Sequence, residues 1–136
     1  MEYVLRQYRD KQMRLTKVRE ALAEIFCQTE RPLTVPEILV KLEQSNLRPN
    51  KTTVYRELEI LIKNEILKEV YFNDDKKRYE LDRDHHHHLV CKQCGEVIEI
   101  ECDHSFELQV EAVAKKNNFV IETESLEFFG QCKNCV

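Results

Sequence analysis

Glycine and proline are scarce in this sequence. The 136 residues include two glycines and three prolines, and no low-complexity tract is visible. Long flexible linkers draw on those residues, so their scarcity argues against one. The length is sufficient for a hydrophobic core, but the composition fits two small compact halves better than one large one. We therefore expect two domains, residues 1–82 and residues 83–136.

Long apolar segments are also missing. No run approaches the roughly 18 residues that a membrane helix needs, and no cleavable apolar leader is visible. The sequence therefore predicts a cytoplasmic protein with no membrane partner. A positioned nucleophile and a substrate-sized glycine-rich loop are absent as well, which weighs against an enzyme.

The chain as a whole has no excess of positive charge, the usual sign of a nucleic-acid partner, since its net charge is −4. The charge is nevertheless uneven. Residues 1–64 hold twelve Lys or Arg against nine Asp or Glu, whereas residues 83–136 hold five against ten. A mildly basic first half and an acidic, Cys/His-rich second half fit a DNA-reading domain joined to a metal-binding domain.

Two Cys-x-x-Cys pairs are the most specific motif. Cys91 and Cys94 precede Gly95, and Cys132 and Cys135 repeat the spacing. Two such pairs can hold four sulfurs around one ion at about 2.3 Å, so they predict a structural Zn²⁺ site. Disulfides and redox motifs are the alternatives. Both are disfavoured, because no signal peptide precedes the pairs and a redox motif does not need a second copy.

Four consecutive histidines, residues 85–88, stand just before the first cysteine pair. Side chains alternate between the two faces of a strand, so His86 and His88 share one face. His85 and His87 then share the other face, and one strand could serve two metal sites. A solvated polar strand without a metal is the alternative. An affinity tag is disfavoured because the run lies within the chain.

A returning strand over residues 97–100 supplies a carboxylate to the histidine pair. If Val90 stands opposite Val97, then His88 stands opposite Glu99. Glu80, before the histidines, can also lean toward this face. Mixtures of imidazole and carboxylate suit Fe²⁺, Mn²⁺, Ni²⁺ or Zn²⁺, whereas four thiolates hold zinc.

The first half predicts several helices. Residues 3–10 predict a polar helix with little face to bury. An apolar stripe follows from Thr16 and ends near Gln28. The Thr-x-x-Glu spacing from Thr34 is a capping box with proline in the first turn, and it starts a second helix. Asn50 or Thr52 caps a third. Two helices joined by a short connection indicate a helix-turn-helix.

The first turns of that third helix carry polar and basic side chains away from its apolar stripe. Arginine can read guanine and tyrosine can contact a thymine methyl, so this mixture is typical of a recognition helix in a major groove. A merely solvated helix face is the alternative. The candidate DNA-contacting residues on this helix are Lys51, Thr52, Thr53, Tyr55 and Arg56.

Strand patterns complete the predicted fold, which is α+β. Residues 66–72 and 77–81 flank a turn-rich tetrapeptide and predict a hairpin, and a helix-turn-helix followed by a hairpin is a winged helix. The second half predicts strands, one helix over 105–117 with an apolar face, and a strand-prone segment over 119–129. A sheet this short has an open edge and one apolar face, which predicts a homodimer.

Four segments together resemble the ferric uptake regulator (Fur) family over nearly the whole chain. The resemblance implies a homodimeric, metal-dependent transcriptional regulator, usually a repressor, with an N-terminal winged helix-turn-helix domain and a small C-terminal α/β dimerisation domain. The segments are Thr16-Lys17-Val18-Arg19, Thr53-Val54-Tyr55-Arg56-Glu57-Leu58, residues 85–95 and Gly130-Gln131-Cys132-Lys133-Asn134-Cys135.

The resemblance also implies roles for individual residues. The cysteines match the structural zinc ligands, and Arg14 matches a basic residue near the minor groove. A regulatory divalent metal, Fe²⁺, Mn²⁺ or Zn²⁺, maps to Glu80, His86, His88 and Glu99. A possible additional site maps to His85, His87, Glu107 and Glu124.

Two positions depart from the family pattern. Many iron- and peroxide-sensing members supply a histidine just before the second helix of the motif, where this chain has Leu33. The zinc-sensing branch uses a hinge-strand ligand where this chain has Lys68. A shifted partner such as Cys102 or His104 could contribute instead.

The predicted function is a metal-responsive regulator that binds operator DNA as a homodimer and represses genes of metal homeostasis. A zinc-stabilised DNA-binding dimer without metal sensing is one alternative. A metalloenzyme is another, because His/Glu clusters also build hydrolase sites. DNA binding that depends on metal would favour the regulator over the dimer without metal sensing. Turnover of an ester or peptide would favour the metalloenzyme.

Overall fold

The chain folds into two compact units. The computed structural model describes residues 1–83, 86–101 and 103–136. The N-terminal unit spans Met1–Arg83 and the C-terminal unit Asp84–Val136. None of the helices among the described residues combines the length and the apolar composition that a membrane span requires.

The N-terminal unit contains four helices, α1 (Glu2–Asp10), α2 (Lys17–Gln28), α3 (Val35–Gln44) and α4 (Lys51–Lys63). Side-chain caps fix where three of them begin, because the first N–H groups of a helix have no partner inside it. The Thr16 hydroxyl accepts from the Arg19 N–H. Thr34 and Glu37 form the predicted capping box. Asn50, rather than Thr52, caps α4, accepting from the Thr53 N–H at 2.8 Å.

The apolar stripes of these helices meet in one core. Leu22 of α2, Ile38 of α3 and Leu58 of α4 are completely buried. Burying one such side chain contributes roughly 1.5–3 kcal/mol. The expectation that α1 buries little is wrong, because Val4 and Tyr8 are also buried. Two residues four apart stack on one helix face, but two positions are too few for a periodicity argument.

A small sheet forms the wing. β2 (Leu67–Tyr71) and β3 (Lys77–Leu81) are the predicted antiparallel hairpin, with Lys68 opposite Glu80. A strand of two residues, β1 (Leu33–Thr34), pairs with the other edge of β3, in the order β1-β3-β2. β1 was not predicted, because two residues carry no alternation pattern. Together with α3 and α4, these strands give the predicted winged helix.

The C-terminal unit is built on β4 (His86–Cys91), β5 (Val97–Glu101), α5 (His104–Lys116) and β6 (Glu127–Gly130). The sheet order is β5-β4-β6. β4 and β5 are antiparallel with Val90 opposite Val97 and His88 opposite Glu99, which is the predicted register. β6 runs parallel to β4 on its other side.

One expectation for this unit is wrong, and one predicted apolar face is exposed. The strand-prone segment 119–129 forms a strand only from Glu127 onward, and residues 119–126 are neither helix nor strand. The apolar face of α5 is not buried within the chain, since Phe106 is 43% and Val113 61% exposed. A strand needs a neighbour for its N–H groups, and an apolar helix face needs a surface to cover it. In a homodimer, the second copy supplies the neighbouring strand and the covering surface.

Candidate metal centres and nucleic-acid interface

Four cysteines of the C-terminal unit form the sulfur cluster, which consists of Cys91, Cys94, Cys132 and Cys135. Their sulfur atoms all lie within 4.8 Å of one another. Sulfurs bound tetrahedrally to one zinc at about 2.3 Å are about 3.8 Å apart, and the Cys94 and Cys132 sulfurs are 3.7 Å apart. All four are free thiols, so the structure excludes disulfides among them. The cluster therefore fits a tetrahedral zinc ion.

The parallel pairing of β4 and β6 brings the two cysteine pairs together. Cys91 is the last residue of β4 and stands opposite Gly130 at the end of β6. The chain then turns back through Gly95, whose φ of +79° lies in the left-handed region that favours glycine. The second pair follows β6 in a similar turn. The sheet thus delivers both pairs to the same edge.

Backbone donors make the cluster's sulfurs unequal. The N–H groups of Cys94 and Cys132 donate to the Cys91 sulfur at 3.5 and 3.4 Å, and they lower the pKa of the Cys91 thiol to about 6. By contrast, the pKa of the Cys135 thiol is raised to about 12, first by the hydrogen bond between Cys135 and Cys132 and then by burial. A cation therefore meets Cys91 as a thiolate first and must displace the proton of Cys135.

The histidine pair, His86 and His88, lies on one face of β4, and both side chains are buried. Their rings meet edge to face with centroids 5.0 Å apart. The Nε2 atom of His86 lies 4.0 Å from the Oε2 atom of Glu99. Strand alternation and register, both read from the sequence, thus bring three of the four predicted regulatory ligands into one neighbourhood.

Glu127 is a further carboxylate beside the pair, and sequence reasoning missed it. It is the first residue of β6 and stands opposite His88 in the parallel register. Its Oε1 atom lies 3.9 Å from the His88 Nδ1 atom, and its side chain is 12% exposed. Parallel pairing between distant segments leaves no local signal in the sequence, so nothing there could have indicated this neighbour.

Most of the other predicted metal ligands lie on elements other than β4. Glu80 is a buried residue of β3 in the N-terminal unit, where the Lys68 ammonium is 3.5 Å from its carboxylate. His85 and Cys102 lie outside the described residues. His87 is buried on the face of β4 opposite the histidine pair. Glu107 is on α5, where its Oε2 atom lies 3.3 Å from His104 Nδ1, and Glu124 lies in segment 119–126.

Leu33 has a structural role in this chain. Its side chain is completely buried among the apolar residues of the N-terminal core. A histidine substituted there would bury a polar ring in apolar surroundings, which costs stability unless the ring is hydrogen-bonded.

The candidate DNA-reading face lies on the first turns of α4. Lys51, Thr52, Tyr55 and Arg56 are exposed, while Thr53 is half-buried behind them. Arg14, in the connection before α2, is exposed as well. An exposed, capped helix start with hydroxyl, phenol and guanidinium groups offers donors for both phosphates and bases.

A nearly buried ion pair holds α4 to α2 beside this face. The Arg19 Nε atom donates to Glu57 Oε2 at 2.7 Å, and Nη2 donates to Oε1 at 3.4 Å. The side chains are 13% and 16% exposed. Nη1 also donates to the Arg14 carbonyl at 2.7 Å. One guanidinium therefore positions both the helix start and the connection that carries Arg14.

Arg19→Met is expected to lower the unfolding free energy of the N-terminal unit by roughly 1.5–3 kcal/mol, because Glu57 keeps its charge and loses its donors. Urea denaturation measures this. Arg9→Met is the matched control, since the Arg9–Glu2 pair is 69% and 72% exposed and should change stability by about 0.5 kcal/mol or less. Equal effects of the two substitutions would contradict the positioning role of Arg19.

Comparison with known proteins agrees with this geometry. The model of the ferric uptake regulator family matches residues 10–129. The ferric uptake regulation protein of Bordetella parapertussis is 34% identical over 125 residues, 90% of this chain and 89% of that protein. The ferric uptake regulator of Helicobacter pylori superposes with a TM-score of 0.78 at 25% identity, covering 98% of this chain and 92% of its own. That of Vibrio cholerae gives 0.76 at 31%, covering 93% and 98%. This chain belongs to the ferric uptake regulator family.

Proposed function

We propose that this chain is a metal-responsive transcriptional regulator that binds operator DNA as a homodimer through α4 and represses genes of metal homeostasis. The observation that carries the proposal is that this member of the family has both an exposed candidate DNA-reading helix and clustered metal-binding side chains. The N-terminal unit presents an exposed Tyr55 and Arg56 on a capped helix. The C-terminal unit joins a sulfur cluster to a buried histidine pair.

The metal sites have different tasks in this proposal. The sulfur cluster holds a structural zinc, which ties the ends of β4 and β6 together. A second divalent ion, Fe²⁺, Mn²⁺ or Zn²⁺, is the signal. The Helicobacter pylori regulator has three functional metal-binding sites. We propose three here as well, the third at His85, His87, Glu107 and Glu124.

The regulatory ion binds Glu80, His86, His88 and Glu99. Glu80 belongs to the last strand of the N-terminal unit, whereas the other three belong to the C-terminal unit. An ion that holds both favours one angle between the units. In a dimer this angle sets the spacing of the two α4 helices, and only one spacing fits two half-sites about one helical turn apart.

This linkage is reciprocal. DNA tightens metal binding by the same factor by which metal tightens DNA binding, typically about 5–150-fold. Separately, Lys68 competes with the ion for Glu80, because the Lys68 ammonium already contacts the Glu80 carboxylate. The structure of the Vibrio cholerae regulator reveals a structural rearrangement of its DNA-binding domains.

An enzymatic role is not part of this proposal. Members of the family are transcription factors, and in this proposal the donors of the metal centres hold ions. A regulator of chromosomal genes acts in the cytoplasm, so we assign the chain to that compartment. A zinc-stabilised DNA-binding dimer without metal sensing remains the competing function, and the metal dependence of DNA binding separates it from the proposal.

The test is operator binding with and without an exchangeable metal. An operator is first selected from random DNA duplexes in the presence of Mn²⁺, and its affinity is then measured at fixed salt as Mn²⁺ is titrated. A chelator too weak to remove the cysteine-bound zinc should weaken binding at least fivefold. Unchanged binding would favour the zinc-stabilised dimer without sensing.

Arg56→Ala is expected to weaken binding to that operator by about 1–3 kcal/mol, because it removes a base contact. Dimerisation and zinc content should not change, since Arg56 is exposed on α4 in the N-terminal unit. Lys116→Ala is a charge-matched control, as Lys116 lies in the last turn of α5. Equal weakening by the two substitutions would show that α4 is not the reading helix.

A further inference from the structure

Three strands of the C-terminal unit place a row of metal-binding side chains on one face of their sheet. His88 lies on the central strand β4, directly opposite Glu99 of β5 and directly opposite Glu127 of β6. Residues paired across neighbouring strands point to the same face of a sheet. His86, two residues before His88, joins them.

The distances within this row suit a shared ion. His88 Nδ1 lies 3.9 Å from Glu127 Oε1, and His86 Nε2 lies 4.0 Å from Glu99 Oε2. Both separations are longer than a direct hydrogen bond, about 2.7–3.2 Å. Two donors on one ion, each at about 2.1 Å, lie at most about 4.2 Å apart. The separation between carboxylate and imidazole in each pair is therefore one that a single bound ion can bridge.

The surroundings of Glu127 fix its orientation. Its side chain is 12% exposed, and the Ser125 hydroxyl donates to its Oε2 atom at 2.8 Å. The second oxygen, Oε1, is the one near His88. A carboxylate placed this deep beside the buried His88 imidazole favours a cation between them, because burying its charge is costly without compensation.

We propose that Glu127 is a ligand of the regulatory ion, and that it completes a set of two imidazoles and two carboxylates within the C-terminal unit. This inference rests on the proposed function of His86, His88 and Glu99. Glu127 takes the place of the donor that the N-terminal unit lacks at Leu33, which is buried in its own core. Carboxylates suit Mn²⁺ and Fe²⁺ better than soft ions.

The division of donors has a functional meaning. Four ligands in the C-terminal unit hold the ion, and Glu80 alone reports it to the N-terminal unit. Loss of Glu127 therefore lowers metal affinity. Loss of Glu80 chiefly uncouples DNA binding from metal that is still bound.

The test compares Glu127→Gln with Glu122→Gln, a matched control in the exposed segment before β6. Mn²⁺ binding is measured on the zinc-loaded full chain by the loss of the free-ion electron paramagnetic resonance signal. Glu127→Gln should raise the Mn²⁺ dissociation constant about 10–100-fold, while one zinc per chain and the melting temperature stay unchanged. Unchanged Mn²⁺ affinity would overturn the proposal.

His88→Ala, measured in parallel, separates this proposal from the proposed function. If His88→Ala loses Mn²⁺ and Glu127→Gln keeps it, only the role of Glu127 is wrong. If both variants keep it, the regulatory site itself is wrong. If Glu127→Gln does not fold, Glu127→Asp replaces it in the test. Aspartate keeps the charge, but its shorter side chain moves the carboxylate oxygen away from the ion. It should still raise the dissociation constant at least threefold, and an unchanged constant would again overturn the proposal.

Discussion

Cys94→Ser is expected to release the zinc and unfold the C-terminal unit. The four sulfurs lie within 4.8 Å of one another and come from two turns that are distant in sequence. Apparent zinc-binding free energies at such sites reach about 10–16 kcal/mol, and they feed directly into folding. Few apolar contacts replace them, because α5 has no buried residue within the chain. Losing the ion therefore costs more than any core substitution in the unit.

Zinc content by mass spectrometry, circular dichroism melting and size-exclusion chromatography measure this outcome. The variant should lose zinc and dimerisation and keep the helical signal of the N-terminal unit, which has its own core. Cys27→Ser is the control, since Cys27 is half-buried in that core and outside the sulfur cluster. A Cys94→Ser protein with normal zinc content and melting would refute the zinc assignment.

His88→Ala is expected to shift the metal response to higher Mn²⁺ concentrations while leaving the zinc in place. His88 lies at the centre of β4, 2% exposed, between two carboxylate-bearing strands. Removing one imidazole takes away one of the two nitrogen donors of the regulatory site, and metal affinity should fall at least tenfold. DNA binding should then need correspondingly more Mn²⁺ for half-saturation.

His104→Ala is the comparison for this substitution, since the His104 side chain is 79% exposed at the start of α5, and an unchanged titration curve would also exclude His104 as the shifted partner. His88→Gln preserves more of the side-chain volume and guards against a cavity effect on folding. Zinc content and melting are measured for each variant alongside the metal titration of DNA binding. A folded His88→Ala protein with an unchanged titration curve would remove this residue from the regulatory site.

Local rules explain which parts of the fold could be predicted. Thr34 and Asn50 begin helices because each can accept a hydrogen bond from the N–H three residues later, a property of the residue and its spacing. The β4–β5 register followed from matching Val90 to Val97, since a one-residue slip would move every side chain to the other face.

The features that could not be predicted depend on contacts between distant segments. Glu127 meets His88 only because β6 returns parallel to β4. β1 is a strand only because β3 lies beside it. Leu33 was interpreted as a missing ligand, whereas its position is filled by the N-terminal core. The apolar stripe of α5 was predicted, but an apolar stripe does not indicate whether the surface that buries it belongs to the same chain or to a second copy.

The parallel neighbours β4 and β6 impose an order on folding. Cys94 and Cys132 are separated by 38 positions in the chain, so joining the strands requires closing a long loop. The β2–β3 hairpin and the helices around it are local, and local contacts form faster. We therefore expect a newly made chain to form α4 before β4 and β6 are joined. If α4 reads DNA as proposed, such a chain can contact phosphates before it can answer the metal signal, and the supply of zinc sets how long that interval lasts.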